Sequence, residues 1–181
     1  MIFAASGYLC LPYRPFMGAV SKNDATLAHA SAHPERFLVS PRSGDPAILV
    51  AQALTSPQNG AWEVWRNDTY CGIILLDRVV PRMDARLHFV FLDDELASKA
   101  PLLLEFVQRC FAEYGFRRLS FEAPAHMGML TGFVRRKLKF QVEGAREAGY
   151  FDGERWHDVA LLSKFAEASY GMASKLGEEA R

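Results

Sequence analysis

Few side chains in this sequence have both the chemistry and the setting to move a proton. His88 sits inside the apolar run Arg86-Leu87-His88-Phe89-Val90-Phe91-Leu92, and Glu122 closes the stretch that begins at Phe116. Imidazole titrates near neutral pH and can act as acid or base, although a lone histidine in an apolar run is more often a hydrogen-bonded core residue. Glu122 reads either as a base or as an ordinary charged strand end. His126 and His157 lack metal-ligand spacing, so no metal site is expected. The three cysteines, Cys10, Cys71 and Cys110, also lack zinc or CxxC spacing. Their odd number suits a reducing, cytoplasmic setting, and Cys110 falls on the apolar face of an expected helix, where a buried thiol is inert.

Charge excludes several classes of partner. Lys plus Arg equals Asp plus Glu at 21 each, so no overall field draws in nucleic acid or an anionic membrane. The opening apolar segment meets Pro12 and Arg14 too soon to span a bilayer, and it has no basic leader. A local cluster, Arg135-Arg136-Lys137-Leu138-Lys139, is either a solvated helix face or an anion contact.

These residues need elements to position them. The 181 residues suit one domain, and half of them are apolar, enough to bury a substantial core. Tyr8 to Pro12 reads as a first strand, with Asn23-Asp24 capping a short helix from Ala25 to Ala32. Asp45-Pro46 opens a second helix that runs to about Leu54. Trp62 to Trp65 and Cys71 to Val80 form a hairpin turning at Asn67-Asp68, and Arg86 to Leu92 is a strand buried on both faces. Leu103, Phe106, Val107, Cys110, Phe111 and Tyr114 recur at helical spacing up to Gly115. Phe116 to Glu122 then reads as a strand parallel to the one before that helix. A further helix is marked by Leu130, Phe133, Val134 and Leu138, and the hairpin Phe140 to Ala148 and Trp156 to Leu162 closes the domain. The expected class is α/β (α+β): a mixed seven-stranded sheet with helices on both faces over residues 1–165, and a surface tail over 166–181.

This order of elements resembles the GNAT superfamily of acetyl-CoA-dependent N-acetyltransferases, nearest the branch that holds ribosomal-protein N-acetyltransferases. The most specific matches are Tyr114-Gly115-Phe116-Arg117-Arg118-Leu119 after the long helix, Lys137-Leu138-Lys139-Phe140, Glu143-Gly144, Arg146, and Trp156-His157-Asp158-Val159. The resemblance covers roughly residues 8 to 163. It implies that the fourth and fifth strands, residues 86 to 92 and 116 to 122, splay apart around acetyl-CoA. The main chain of Val90, Phe91 and Leu92 would then bind pantetheine and polarise the thioester.

The resemblance also implies that the cofactor diphosphate sits at the start of the following helix, at Ala97, Ser98, Lys99 and Ala100. Here the chain departs from the family: Asp94-Glu95-Leu96-Ala97-Ser98-Lys99 lacks the usual leading cation and both glycines, and Asp93, Asp94 and Glu95 crowd the site with acid. Lys99 would restore one positive charge, and Arg135 and Arg136 would reach the adenosine end. The family's Asn-x-x-Ser falls on Gly128 to Thr131, so Thr131 is one candidate acid for the leaving thiolate and Tyr150 the other. Glu122 or His88 would be the base. The acceptor is then the primary amine of a small molecule or a protein terminus. The alternative is a GNAT-fold module that has lost its cofactor and acts by binding a partner. Edge pairing into a homodimer is compatible with both.

Overall fold

The computed structural model describes residues 1–14, 20–93 and 95–167. The expected tail, apart from Ala166 and Glu167, and Asp94 lie outside the described residues.

One mixed sheet of eight strands organises the chain, in the order β1-β2-β3-β4-β5-β6-β8-β7. The strands are β1 (Phe3–Ala5), β2 (Tyr8–Pro12), β3 (Gly60–Arg66), β4 (Thr69–Val80), β5 (Asp84–Phe91), β6 (Arg118–Pro124), β7 (Gln141–Phe151) and β8 (Trp156–Phe165). The helices are α1 (Val20–Ala32), α2 (Pro46–Thr55), α3 (Ala100–Tyr114) and α4 (Gly128–Lys137). All neighbours pair antiparallel except β5 and β6, the pair joined by the α3 crossover. The eighth strand, against seven expected, is β1, a three-residue segment on the edge of β2.

Local chemistry explains most of the boundaries. Asp45 caps α2 by accepting the Ala47 N–H at 2.8 Å, and Pro46 occupies the first turn, where no amide is needed. Asn67 and Asp68 both adopt positive φ, 47° and 61°, the twist that a tight hairpin requires. Gly115 ends α3 at φ 67° and bonds back to the Cys110 carbonyl. Phe116, expected to start a strand, belongs to this cap, so β6 begins at Arg118. Helix α1 is described from Val20, so Asn23 and Asp24, expected just before it, lie within its span.

Two apolar layers enclose the sheet. Leu102, Leu103, Phe106 and Val107 of α3 and Val134 of α4 pack on Leu87, Phe89, Leu119 and Phe121. On the opposite face Ala30, Phe37, Val50 and Leu54 cover Ile73, Leu75 and Val90. Cys10, Cys71 and Cys110 are buried free thiols, and burial pushes Cys10 up to about 12. No described helix is long and apolar enough to cross a membrane.

Candidate active site

The parallel pair β5 and β6 holds register only at Asp84–Arg118, Ala85–Leu119 and Arg86–Ser120. Beyond it the strands part. The gap continues into a cleft of about 550 Å³ whose walls include Phe89, Phe91 and Leu96 on one side and His126, Met127 and Leu130 on the other. On the α3/α4 face Phe89 stacks against Phe121 at 5.5 Å and meets the Phe133 ring edge-on at 6.2 Å. On the other face the single helical turn Pro34–Phe37 reaches both strands and brings Arg36 to the cleft.

The register of β5 on β4 decides which main-chain groups face the gap. Leu92 N–H bonds the Cys71 carbonyl at 2.9 Å, continuing the pairing of Gly72 with Phe91 and Ile73 with Val90. Antiparallel ladders alternate bonded and non-bonded pairs, so His88, Val90 and Leu92 spend their amides on β4, whereas Leu87, Phe89 and Phe91 turn theirs away from it, toward β6. Of the three residues whose main chain was expected to meet a ligand, only Phe91 turns its amide toward the gap. Val90 and Leu92 are corrected to sheet-bonded positions, and Phe89 takes their place. The alternation rests on Gly72, at φ 148°, whose Cα approaches β5 so closely that an added Cβ would lie 2.1 Å from the Val90 carbonyl oxygen.

The segment after β5 departs further from expectation. Lys99 is fully buried: its ammonium is turned inward to Asp93 and to the Glu95 carbonyl at 3.1 Å, between the ring faces of Tyr8 and Phe91. The open cation expected at Lys99 is therefore an internal ion pair. Burial opposes the charge on Asp93, but Lys99 and the Glu95 amide outweigh it and hold the carboxyl below its ordinary value. Ser98 donates its hydroxyl to the Glu95 carbonyl at 2.8 Å and receives the Tyr8 hydroxyl at 3.0 Å. The Ala100 amide bonds the Ala97 carbonyl, and Pro101, in the first turn of α3, has no amide to offer. Ala97 is exposed.

Glu122 and His88 join a polar network on the α1/α2 face, near the point where the strands part. Arg86 clamps Asp77 through two bonds of 2.6 and 2.8 Å and reaches Glu122 at 3.0 Å. Arg146 and Arg78 also contact Glu122, at 3.3 and 3.5 Å. Burial works against ionisation of Glu122, yet Arg86, Arg146 and Arg78 prevail and hold its carboxyl below the usual range. His88 is buried and bonds Asp77 through Nε2 at 3.1 Å. Burial is likewise outweighed at Asp77, whose carboxyl the Arg86 and His88 bonds hold well below the ordinary carboxylate range. A groove of about 260 Å³ between Phe37, Val39, Leu49 and Val50 ends on Asp77 and His88.

The remaining expected residues are scattered. Gly128 begins α4 at the cleft wall, but the Thr131 hydroxyl is spent on the Gly128 carbonyl at 3.2 Å. Arg135 and Arg136 stand exposed in the last turns of α4, beside a separate cavity that also touches Val142. Tyr150 is buried in β7, and desolvation, with Glu35 and Asp152 adding to it, pushes its hydroxyl up to about 12. Sequence reasoning missed the Pro34–Phe37 turn and weighed His126 only as a metal ligand, whereas it stands at the cleft two residues before Gly128. Among the described residues no group of three or more His, Cys, Asp or Glu side chains could hold a metal ion.

A mixed sheet whose one parallel pair opens beside a crossover helix, with helices on both faces and an antiparallel hairpin closing it, is the GNAT acetyltransferase fold, and solved structures bear this out. The chain is similar to a GNAT-family acetyltransferase from Bacillus anthracis (14% identity, TM-score 0.66, covering 91% of this chain and 98% of that one). It is also similar to a ribosomal L7/L12 alpha-N-protein acetyltransferase in complex with coenzyme A (11%, 0.71, 93% and 99%). A third is the spermidine N-acetyltransferase of Vibrio cholerae in complex with CoA and spermine (10%, 0.71, 89% and 96%). No protein-family model and no curated protein matches the chain.

Proposed function

We propose that this protein is an N-acyltransferase that transfers acetyl from acetyl-CoA to a primary amine of a small molecule or a protein terminus by direct attack. One observation carries the reading: β5 and β6 separate after three paired residues and open into a cleft toward which Phe89 and Phe91 direct their amides. Such amides suit the pantetheine chain, and one of them suits the oxygen of a tetrahedral intermediate. The fold neighbours include one complex with CoA and another with CoA and spermine, which supports the donor and the amine class.

The residues present fit the two ends of that donor unequally. At the thioester end, Phe89, Phe91 and the cleft wall at Gly128 would hold the pantetheine arm. At the diphosphate end, Lys99 is taken by Asp93, the Ser98 hydroxyl is engaged, and Arg135 and Arg136 are exposed cations on the α4 side. Weak binding of acetyl-CoA is therefore expected. The same closure of the Asp93–Lys99 segment favours the second reading, a module that binds a partner without cofactor.

Thermal denaturation with increasing acetyl-CoA separates the two. A ligand bound only by the folded state adds about 2.7 kcal/mol at a hundredfold excess over its Kd. A rising melting temperature supports the transferase, and none at millimolar acetyl-CoA supports the module.

A further inference from the structure

Direct attack needs a group that removes a proton from the incoming ammonium, and none of the side chains considered so far is well placed to do it. Glu122 is gripped by three guanidinium groups in a pocket separate from the cleft. Thr131 is bonded within its helix, Tyr150 is buried, and His88 is held on Asp77.

His126 differs from all of these. It is exposed, it lines the cleft, and it sits on the turn between β6 and α4. That turn is stitched to β8 by the Ala125 amide, which bonds the Asp158 carbonyl at 2.8 Å. The stitch brings the His126 ring to 4.3 Å from the ring of His157, centre to centre. His157 in turn bonds the carboxylate of Asp152 through Nε2. Asp152 is itself fixed at the hairpin tip by the amides of Glu154 and Arg155, at 2.8 and 2.9 Å. Those amides, with His157, hold its carboxyl ionised. A carboxylate bonded to a nearly buried imidazole, whose ring in turn contacts an exposed imidazole at a tilt of 52°, thus links the hairpin tip to the cleft.

We propose that His126 is the catalytic base of this protein, and that His157 and Asp152 are positioning residues that orient its ring and balance the charge it acquires. The inference rests on the transferase reading. One of the three ammonium hydrogens passes to His126 and on to solvent. The freed nitrogen lone pair forms the C–N bond to the thioester carbonyl carbon, and the C–S bond breaks. The second hydrogen lost from nitrogen ends on the departing thiolate, and the third stays on the amide. The titratable and charged groups around this end of the cleft are Glu35 and Arg36 on the Pro34–Phe37 turn, Asp93 after β5, the neutral phenol of Tyr150 on β7, Asp152 at the hairpin tip, and His157 and Asp158 on β8.

The test uses the whole chain with acetyl-CoA as the probe. Histidine ring-proton signals are followed by NMR and assigned with His126→Gln and His157→Gln, alongside the melting temperature. Acetyl transfer to spermidine and to a peptide beginning with serine is read by thiol release over about pH 5 to 8. The expected result is that acetyl-CoA raises the melting temperature and moves the His126 signal. His126→Gln should lower transfer about 100-fold without altering the melting temperature. Asp152→Asn should displace the acid limb of the rate profile and leave the KM for acetyl-CoA unchanged. If acetyl-CoA stabilises the protein but the His126 signal stays still, or His126→Gln retains the full rate, this inference alone is overturned. If acetyl-CoA does not stabilise the protein, the transferase reading falls with it.

Discussion

Replacing either partner of the Lys99–Asp93 pair should have unequal effects, and the inequality distinguishes an internal strut from a ligand-binding cation. Lys99 is 0% exposed, whereas the Asp93 side chain is 49% exposed. Breaking a fully buried pair by removing one member costs about 3–5 kcal/mol, because the remaining charge is stranded. In Asp93→Asn the stranded ammonium keeps the Glu95 carbonyl and the faces of Tyr8 and Phe91, and the lost carboxylate was half solvated, so about 1–2 kcal/mol is expected. For a chain of this length that lowers Tm by about 2–8 °C. Lys99→Met removes the buried charge itself and fills the same space, so it should cost less than about 1 kcal/mol. The double variant should resemble Lys99→Met, since Asp93 then has no buried partner to lose. Circular-dichroism melts at pH 7 give all three values. The depressed Asp93 carboxyl fixes the sign with pH: its contribution is present above the unfolded value near about 3.9 and is lost as pH falls through the folded value. The reasoning is refuted if Lys99→Met destabilises as much as Asp93→Asn. It is equally refuted if Lys99→Met weakens acetyl-CoA tenfold at unchanged Tm, because the ammonium would then be serving the ligand.

Gly72→Ala should lower Tm by more than about 6 °C, because its Cβ would strike the Val90 carbonyl oxygen, a backbone atom that no rotamer can move. Asp77→Asn leaves Arg86 and His88 facing a neutral amide and should cost about 2–4 kcal/mol at pH 7 by urea titration. The cost should shrink below about pH 4, since the depressed Asp77 carboxyl contributes only above its unfolded value and loses that contribution as pH falls through the folded one. Asp45→Ala removes the cap of α2 and should cost about 1 kcal/mol, a fall in Tm of about 2–4 °C.

What could be read from the sequence was what local chemistry dictates. Asp45-Pro46, Asn67-Asp68 and Gly115 mark their own elements, because caps and positive-φ turns are settled by a few neighbouring residues. Helix α3 and the strands β3 to β6 followed from periodicity, to within a few residues at their ends. The apolar opening Met1 to Cys10 reads as one early strand, and what the pattern does not reveal is its break at Ser6-Gly7 into β1 and β2, which then pair with each other. The candidate site was legible in outline, as two strands expected to part, and illegible in detail. Which β5 amides face the gap depends on a single register against Cys71 and Gly72, and a shift of one residue would exchange Val90 for Phe91. The inward turn of Lys99 requires Tyr8, ninety-one residues away in the chain, and the meeting of His126 with His157 requires a bond from Ala125 to Asp158. Contacts of that sequence separation leave no trace in composition or spacing.

The most direct test of the account is the backbone amide NMR spectrum of the protein titrated with acetyl-CoA to saturation, with exchange into D₂O measured at each end. Slowed exchange and large shifts at the Phe89 and Phe91 amides, with Val90 and Leu92 already protected before ligand is added, are the predicted result. Rapid exchange at Phe89 and Phe91 that acetyl-CoA leaves unchanged would contradict it.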